Sequence, residues 1–197
     1  MKKKAIIVCI IFLLLIVCGT ILLFVKNNTY SEKPDIVSEY VENNEELTEL
    51  DKFYKNDIIG NYKDIRELDE RYTREEARID NCFVIGAMVH NDNLYNEFMK
   101  KYKKKESGFI RVVQNTAEGD LVIYDIMYND SSKELLLVSD STRDKFSNEN
   151  DRIIKLEKYD NVAEYKYKEC LYWVLHNGKL SDEAFDTGDV FVITTIN

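Results

Sequence analysis

The stretch from Phe109 to Asp144 constrains the fold more than any other part of the chain. It contains three runs rich in Val, Ile, Leu and Tyr, separated by Ala117–Gly119 and by Asn129–Ser132. Runs of about five to eight such residues are typical of β-strands. Glycine accepts positive φ angles, and short Asn, Asp and Ser side chains bond their own backbone, so both separating segments are typical of turns. The stretch therefore predicts three consecutive antiparallel strands.

This arrangement predicts that several charged side chains meet at one edge of the sheet. The first turn and the end of the third strand must lie at the same edge, because the chain reverses direction twice between them. We call the residues there the rim: Glu118, Asp120, Asp140, Arg143 and Asp144. The rim is the best candidate for a ligand or Ca²⁺ site, since hard cations prefer several oxygen ligands. An arginine among carboxylates favours the alternative, a structural lock in which Arg143 forks onto Asp140 or Glu118, so no metal is expected.

A further strand is predicted before this stretch. Cys82–Val89 is apolar at almost every position, which indicates a central strand, and Asn93–Lys105 has helical spacing of its apolar residues. If this helix crosses over the sheet, the strand before it lies parallel to the strand after it. His90 would then join the rim, where it could act as a ligand-binding residue or a general base. No motif places a nucleophile beside His90, so no catalytic residue is predicted.

The C-terminal part adds two predicted strands, Arg152–Glu157 and Val162–Leu175. The fold class expected is α+β, with a mainly antiparallel sheet of five or six strands and a crossover helix on one face. Ser181–Ile193 also echoes Thr73–Ile85, since both segments read as a short helical turn followed by an apolar strand. A remnant of a repeat and chance similarity are both open explanations.

An apolar segment near the N-terminus predicts a membrane anchor. Ala5–Val25 contains 21 residues without a charge, with three lysines before it. About 20 apolar residues span a bilayer, and basic residues favour the cytoplasmic side, so the rest of the chain is expected outside. The alternatives are a lipoprotein, in which Cys18 is lipidated because Leu15–Cys18 resembles a lipobox, and ordinary secretion. Val17 occupies a position where a small residue is usual, which favours the uncleaved anchor.

The charge distribution argues against a nucleic-acid partner. Four of the 27 basic residues flank the apolar segment and all 36 acidic residues follow it, which leaves 23 basic residues and a net charge of −13 on the remainder. Such a surface repels phosphate backbones. The partners expected are therefore the membrane, through residues 5–25, and a protein or small molecule that the sequence does not identify.

Three domains are predicted. Residues 1–26 form the anchor, residues 27–72 a charged helical spacer, and residues 73–197 an extracytoplasmic α+β domain. The apolar residues of 27–72 recur at nearly helical spacing. This pattern favours a spacer that packs on the domain over a dimerising stalk, because it is too short and irregular for a heptad repeat.

Cysteine usage leaves one pairing open, and no motif indicates a cofactor. Cys82 and Cys170 could form a disulfide in an oxidising exterior or remain buried thiols. The chain contains no Cys-x-x-Cys, no His-Glu-x-x-His and no phosphate-binding glycine loop.

Three short motifs resemble those of a known family. They are Arg111-Val112-Val113, Thr116-x-Glu118-Gly119-Asp120 and Asp140-x-Thr142-Arg143-Asp144. As a set they are similar to a family of small exported bacterial proteins classed only as a domain of unknown function. The resemblance implies an exported setting and no particular activity. The functional hypothesis is a non-enzymatic, membrane-anchored binding or interaction module, and the alternative is a small extracellular hydrolase that uses the acidic rim with His90.

Overall fold

The computed structural model describes residues 44–86 and 92–196, without the side chains of residues 44–48 and 196. A five-stranded sheet forms the centre of this part of the chain, and its strands are neighbours in chain order. The strands are β1 (Phe83–Ile85), β2 (Gly108–Asn115), β3 (Leu121–Asn129), β4 (Glu134–Asp140) and β5 (Ile154–Tyr159). β1 is parallel to β2 and the other pairs are antiparallel. The predicted α+β class and the three consecutive antiparallel strands are confirmed.

Four α-helices accompany the strands within residues 44–86 and 92–196. They are α1 (Asn44–Tyr54), α2 (Arg74–Ile79), α3 (Asp92–Lys103) and α4 (Asp182–Thr187). Single 3₁₀ turns lie at Asp57–Ile59, Ile65–Glu67 and Glu149–Asp151. α3 connects the parallel strands β1 and β2 and packs on one face of the sheet, as a crossover helix was predicted to do.

A second, three-stranded antiparallel sheet was not predicted. It consists of β6 (Asn161–Tyr167), β7 (Cys170–His176) and β8 (Val190–Ile196). The prediction of one strand over Val162–Leu175 is wrong, because this segment is a hairpin with its turn at Lys168–Glu169. Lys168 has a φ of 54°, in the left-handed region that glycine, asparagine or aspartate usually occupies. No residue of the usual turn type therefore marked the reversal.

The five-stranded sheet is buried on both faces. One face packs against α3 and the second sheet, where Trp173 lies among Phe83, Tyr95 and Phe98. The other face packs against the segment before α2. The buried residues of that segment are Leu50, Phe53, Ile59, Ile65 and Tyr72. The described part of the predicted spacer thus contributes its apolar side chains to the core.

The similarity between Thr73–Ile85 and Ser181–Ile193 extends to the type of secondary structure but not to strand pairing. Thr73 caps α2 with a capping box, and Ser181 caps α4 through the backbone N–H of Ala184. A strand follows each helix. β1 lies parallel to β2 in the larger sheet, however, whereas β8 lies antiparallel to β7 in the smaller one.

Several predictions concern residues that the structure does not describe. These are the membrane segment 5–25, the lipidation candidate Cys18 and the rim candidate His90. Among the helices of residues 44–86 and 92–196, none combines the length and the apolar character that a membrane crossing requires.

Candidate functional site

The strand register brings most of the rim together. Asn115 pairs with Leu121 and Ile123 pairs with Asp140, so the β2–β3 turn and the end of β4 lie at the same sheet edge. Gly119 has a φ of 102°, which explains why glycine suits this turn. The backbone N–H of Lys145 donates to Asp120 Oδ2 at 2.7 Å and ties the turn to the loop after β4.

Asp140 and Arg143 form a buried ion pair at the centre of the rim. Asp140 Oδ1 accepts hydrogen bonds from the backbone N–H of Thr142 at 2.9 Å and from its Oγ1 at 2.6 Å. Asp140 Oδ2 accepts from Arg143 Nη1. Arg143 Nη2 donates to the carbonyl oxygens of Leu68 at 3.0 Å and Asp69 at 3.2 Å. The pair therefore joins the end of β4 to the segment before α2, which is the arrangement expected of a structural lock.

The other predicted rim residues are placed differently. Asp144 Oδ1 accepts from the backbone N–H groups of Phe146 and Ser147 and so organises its own loop. Glu118 is exposed at the tip of the β2–β3 turn. In the described ranges, no group of three or more His, Cys, Asp or Glu side chains is close enough to hold a metal ion.

A cleft of about 310 Å³, which we call the rim cleft, opens beside this ion pair. It lies between the β2–β3 turn, the loop after β4 and the start of α2. Four of its lining side chains are basic and two are acidic. The lining residues are Glu70, Arg71, Tyr72, Thr73, Arg74, Asn115, Gly119, Asp120, Leu121, Arg143 and Lys145.

Arg74 differs from the other cations of the cleft because nothing in the described chain pairs with it. Its Nε is buried without a hydrogen-bond partner, and it takes part in none of the ion pairs among the described residues. Arg143, by contrast, is neutralised by Asp140, and Arg71 lies 3.5 Å from Asp69. A buried donor without a partner is uncommon in folded proteins, because it has lost its water without a replacement.

Gly86 makes room for the Arg74 guanidinium. A Cβ atom at residue 86 would lie 2.6 Å from Arg74 Cζ and 2.9 Å from Nη1, closer than non-bonded atoms approach. The absence of a side chain at residue 86 therefore leaves the space that the Arg74 guanidinium occupies. No ion pair among the described residues accounts for its position there.

Two acceptors near the cleft also lack partners. Asn115 Oδ1 and Thr116 Oγ1 are buried without hydrogen bonds, while Asn115 Nδ2 donates to the Gly119 carbonyl. Asn115 lines the cleft, so its wall contains a hydrogen-bonding atom that the described chain does not use. Together with Arg74, this atom makes the rim cleft the best candidate binding site in the described residues.

A second polar arrangement is structural. Arg111 and Asp125 are buried and form a two-pronged ion pair, with Nε–Oδ1 and Nη2–Oδ2 distances of 2.6 Å. Tyr54 donates to Asp125 at 2.9 Å, and Arg111 donates to the Lys63 carbonyl at 2.7 Å. Burial raises the pKa of Tyr54 far above its usual value. These bonds join β2 and β3 to α1 and the segment after it.

Cys82 and Cys170 lie in different environments and are not bonded to each other. Cys82 is buried before β1, near the hydroxyl of Tyr72, and burial raises its thiol pKa to about 11. Cys170 is exposed at the turn between β6 and β7, in the other sheet. The disulfide that the sequence left open is therefore absent between these two described residues.

The sequence interpretation missed Arg74, Gly86 and Asp125 as site or core residues. In the sequence, Arg74 is one residue after the helix cap Thr73, and Asp125 is one polar residue inside a strand. The lone glycine in the apolar run Cys82–Val89 was the available signal, because a glycine within a strand often marks a close approach of another group.

Comparison with known proteins gives one match. The model of a family described as Domain of unknown function (DUF4362) matches residues 79–172, which run from the end of α2 to β7. No curated protein and no solved structure matches the chain. The match includes the Arg111–Asp125 and Asp140–Arg143 pairs and excludes Arg74. The expected resemblance to a domain of unknown function is confirmed, and residues 79–172 are similar to that domain.

Proposed function

We propose that this protein is a membrane-anchored, extracytoplasmic and non-enzymatic binding module, and that its ligand binds in the rim cleft. The observation that carries the proposal is Arg74, which lines the cleft, takes part in none of the ion pairs among the described residues and has a buried Nε without a hydrogen-bond partner there. Binding pockets commonly place a few polar groups that the protein itself does not satisfy, because those groups bond the ligand.

The composition of the chain supports a membrane anchor followed by an extracytoplasmic domain. Residues 5–25 are long and apolar enough to span a bilayer, and three lysines precede them. The strongly acidic remainder suits a soluble domain that is kept away from anionic lipid.

Binding is favoured over hydrolysis because two of the rim carboxylates already accept hydrogen bonds from the protein. Both oxygens of Asp140 accept hydrogen bonds within the protein, and Asp120 accepts one from the backbone of Lys145. A general base needs a free oxygen within reach of the proton that it removes. Asp140 is committed to the ion pair and is a poor candidate for that role.

The extracytoplasmic location of the domain can be tested through Cys170, which is exposed. A membrane-impermeant maleimide added to intact cells should label the full-length protein, and the Cys170→Ser variant should stay unlabelled. Cys82 is buried, and Cys9 and Cys18 lie in the predicted membrane segment, so the signal reports on one site. Labelling that requires permeabilised cells would contradict an extracytoplasmic domain.

Ligand binding can be tested by NMR on the full-length chain in a mild detergent. A library of small anionic, neutral and cationic compounds is screened for shifts of the backbone amides that surround the cleft, those of Gly119, Leu121 and Lys145. The proposal expects at least one compound to move these amides in a saturable way. A library without such a compound would contradict the cleft as a ligand site.

A further inference from the structure

We infer that the rim cleft recognises an oxyanion, a carboxylate or phosphate group on a small molecule, through the guanidinium of Arg74. This inference rests on the proposed function, because it assigns a ligand class to the same cleft. The first argument is the chemistry of the unused donors. A guanidinium presents its N–H groups as a rigid fork that matches two oxygens of a carboxylate or phosphate. Arg74 lines the cleft, and its guanidinium has no carboxylate partner in the part of the chain that the structure describes.

The position of the guanidinium is the second argument. Gly86 leaves the space in which the Arg74 guanidinium lies, and this space is present before any ligand arrives. A site that is formed before binding has a lower ordering cost of binding. An arginine that served only solubility would not need a glycine beneath it, since it could extend into water.

Charge supplies the third argument. Arg71 and Lys145 line the cleft beside Arg74, whereas Asp140 neutralises Arg143. Of the four basic side chains that line the cleft, Arg74 and Lys145 take part in none of the ion pairs among the described residues. These two cations attract a small anion, while the residues after position 26, which carry a net charge of −13, repel large polyanions.

Size limits the ligand. The cleft volume of about 310 Å³ lies at the lower end of the range for small-molecule sites. Glu70 and Asp120 also line it, so a molecule with several anionic groups would meet repulsion at one side. The fitting ligand is a small molecule that carries one oxyanionic group and neutral or donor groups elsewhere, which could bond the unused Asn115 Oδ1.

Two variants distinguish the contribution of the guanidinium's position to binding from the contribution of its charge. Arg74→Gln removes the charge. Gly86→Ala keeps every charge but places a methyl group where the guanidinium lies, and only the flexible end of Arg74 must move to admit it. Arg78→Gln is the matched control, because Arg78 lies on the same helix and also has a buried Nε without a hydrogen-bond partner, but it pairs with Glu75 and does not line the cleft.

The experiment titrates acetate and inorganic phosphate into the full-length protein at constant ionic strength and follows the amides of Gly119 and Lys145. Saturable shifts are expected in the wild type and in Arg78→Gln. Apparent affinity should fall at least about tenfold in both Arg74→Gln and Gly86→Ala, the size expected for a charge-assisted hydrogen bond. A response to acetate alone or to phosphate alone would identify the oxyanion class.

Three results would overturn the inference. They are a lack of saturable shifts with either anion, equal affinity in the wild type and Gly86→Ala, and an equal response to uncharged acetamide. The third result, or a neutral or cationic hit from the library screen at the same amides, would retain the cleft as a binding site while rejecting the oxyanion. Unfolding curves of Gly86→Ala would show that the variant is folded, so a loss of binding reports on the guanidinium.

Discussion

Arg111 and Asp125 stand directly opposite each other on neighbouring strands, and their side chains form a two-pronged ion pair from which water is excluded. The pair sits under the segment before α2, because Tyr54 and the Lys63 carbonyl complete its hydrogen bonds. The register of the two strands and the docking of α1 therefore depend on the same group of atoms.

This ion pair predicts that a variant lacking one of the two charges loses more stability than a variant lacking both. Asp125→Ala leaves the Arg111 charge buried without a partner and should lower the free energy of unfolding by about 3–5 kcal/mol. The double variant Arg111→Met/Asp125→Leu removes both charges and should recover part of that loss. Urea denaturation measures both values. A single variant within about 1 kcal/mol of the wild type would contradict the assignment of a buried, paired charge.

Arg143→Ala should also destabilise the protein, by about 3 kcal/mol, because it leaves the buried Asp140 carboxylate short of a donor and frees the Leu68 and Asp69 carbonyls. Addition of Ca²⁺ should not restore the lost stability, since the arginine and not a metal completes the rim. Arg71→Ala is the control, because its side chain is 92% exposed and should contribute little. A Ca²⁺-dependent rise of the unfolding midpoint in the wild type would instead favour a cation site.

The folding unit should begin near Asn43 and not at the predicted boundary of residue 73. Leu50 and Phe53 are buried on the sheet, and truncating residues of this kind costs about 2–5 kcal/mol each. Their joint loss is comparable to the whole stability of a typical domain. A fragment of residues 43–197 should show a cooperative thermal transition and a fragment of residues 73–197 should not. A cooperative melt of the shorter fragment would contradict the role of α1 in the core.

Stability should fall at alkaline pH. Burial raises the pKa of Tyr62 and of Tyr159 to about 12 in the folded protein. In the unfolded chain these hydroxyls ionise near pH 10, so the unfolded state releases its protons first and is favoured as the pH rises from about 10 through 12. Urea unfolding at about pH 8, 10 and 11 measures the decline. In Tyr62→Phe the free energy of unfolding should decline less over this pH range than in the wild type. An equal decline in both proteins would contradict a raised pKa of Tyr62.

The three central strands and the crossover could be predicted because their signals are local. Gly119 and Asn129–Ser132 mark the turns within a few residues, and β-branched residues fill the strands between them. Register then follows from the turns, and register alone places Asp120 and Asp140 at one edge. This part of the candidate site was therefore accessible from the sequence.

The remaining features depend on contacts that are distant in the chain or lack a characteristic residue. Arg143 bonds carbonyl oxygens that lie 74 and 75 residues earlier, and backbone carbonyls carry no sequence signal. The β6–β7 hairpin turns at Lys168, which has a positive φ without being glycine or asparagine. The Arg74–Gly86 contact joins a helix start to a strand end, and only the folded chain brings them together.

The most direct test of the account is the ¹H–¹⁵N resonance of the Arg74 Nε–H group in the full-length protein, assigned by its disappearance in Arg74→Lys. The account predicts that acetate or phosphate shifts this resonance in a saturable way, because the guanidinium that carries the Nε–H group gains an anionic partner in the cleft. The resonance of Arg78 should not respond. An Arg74 signal that stays unchanged at anion concentrations that move the cleft amides would contradict recognition through this guanidinium.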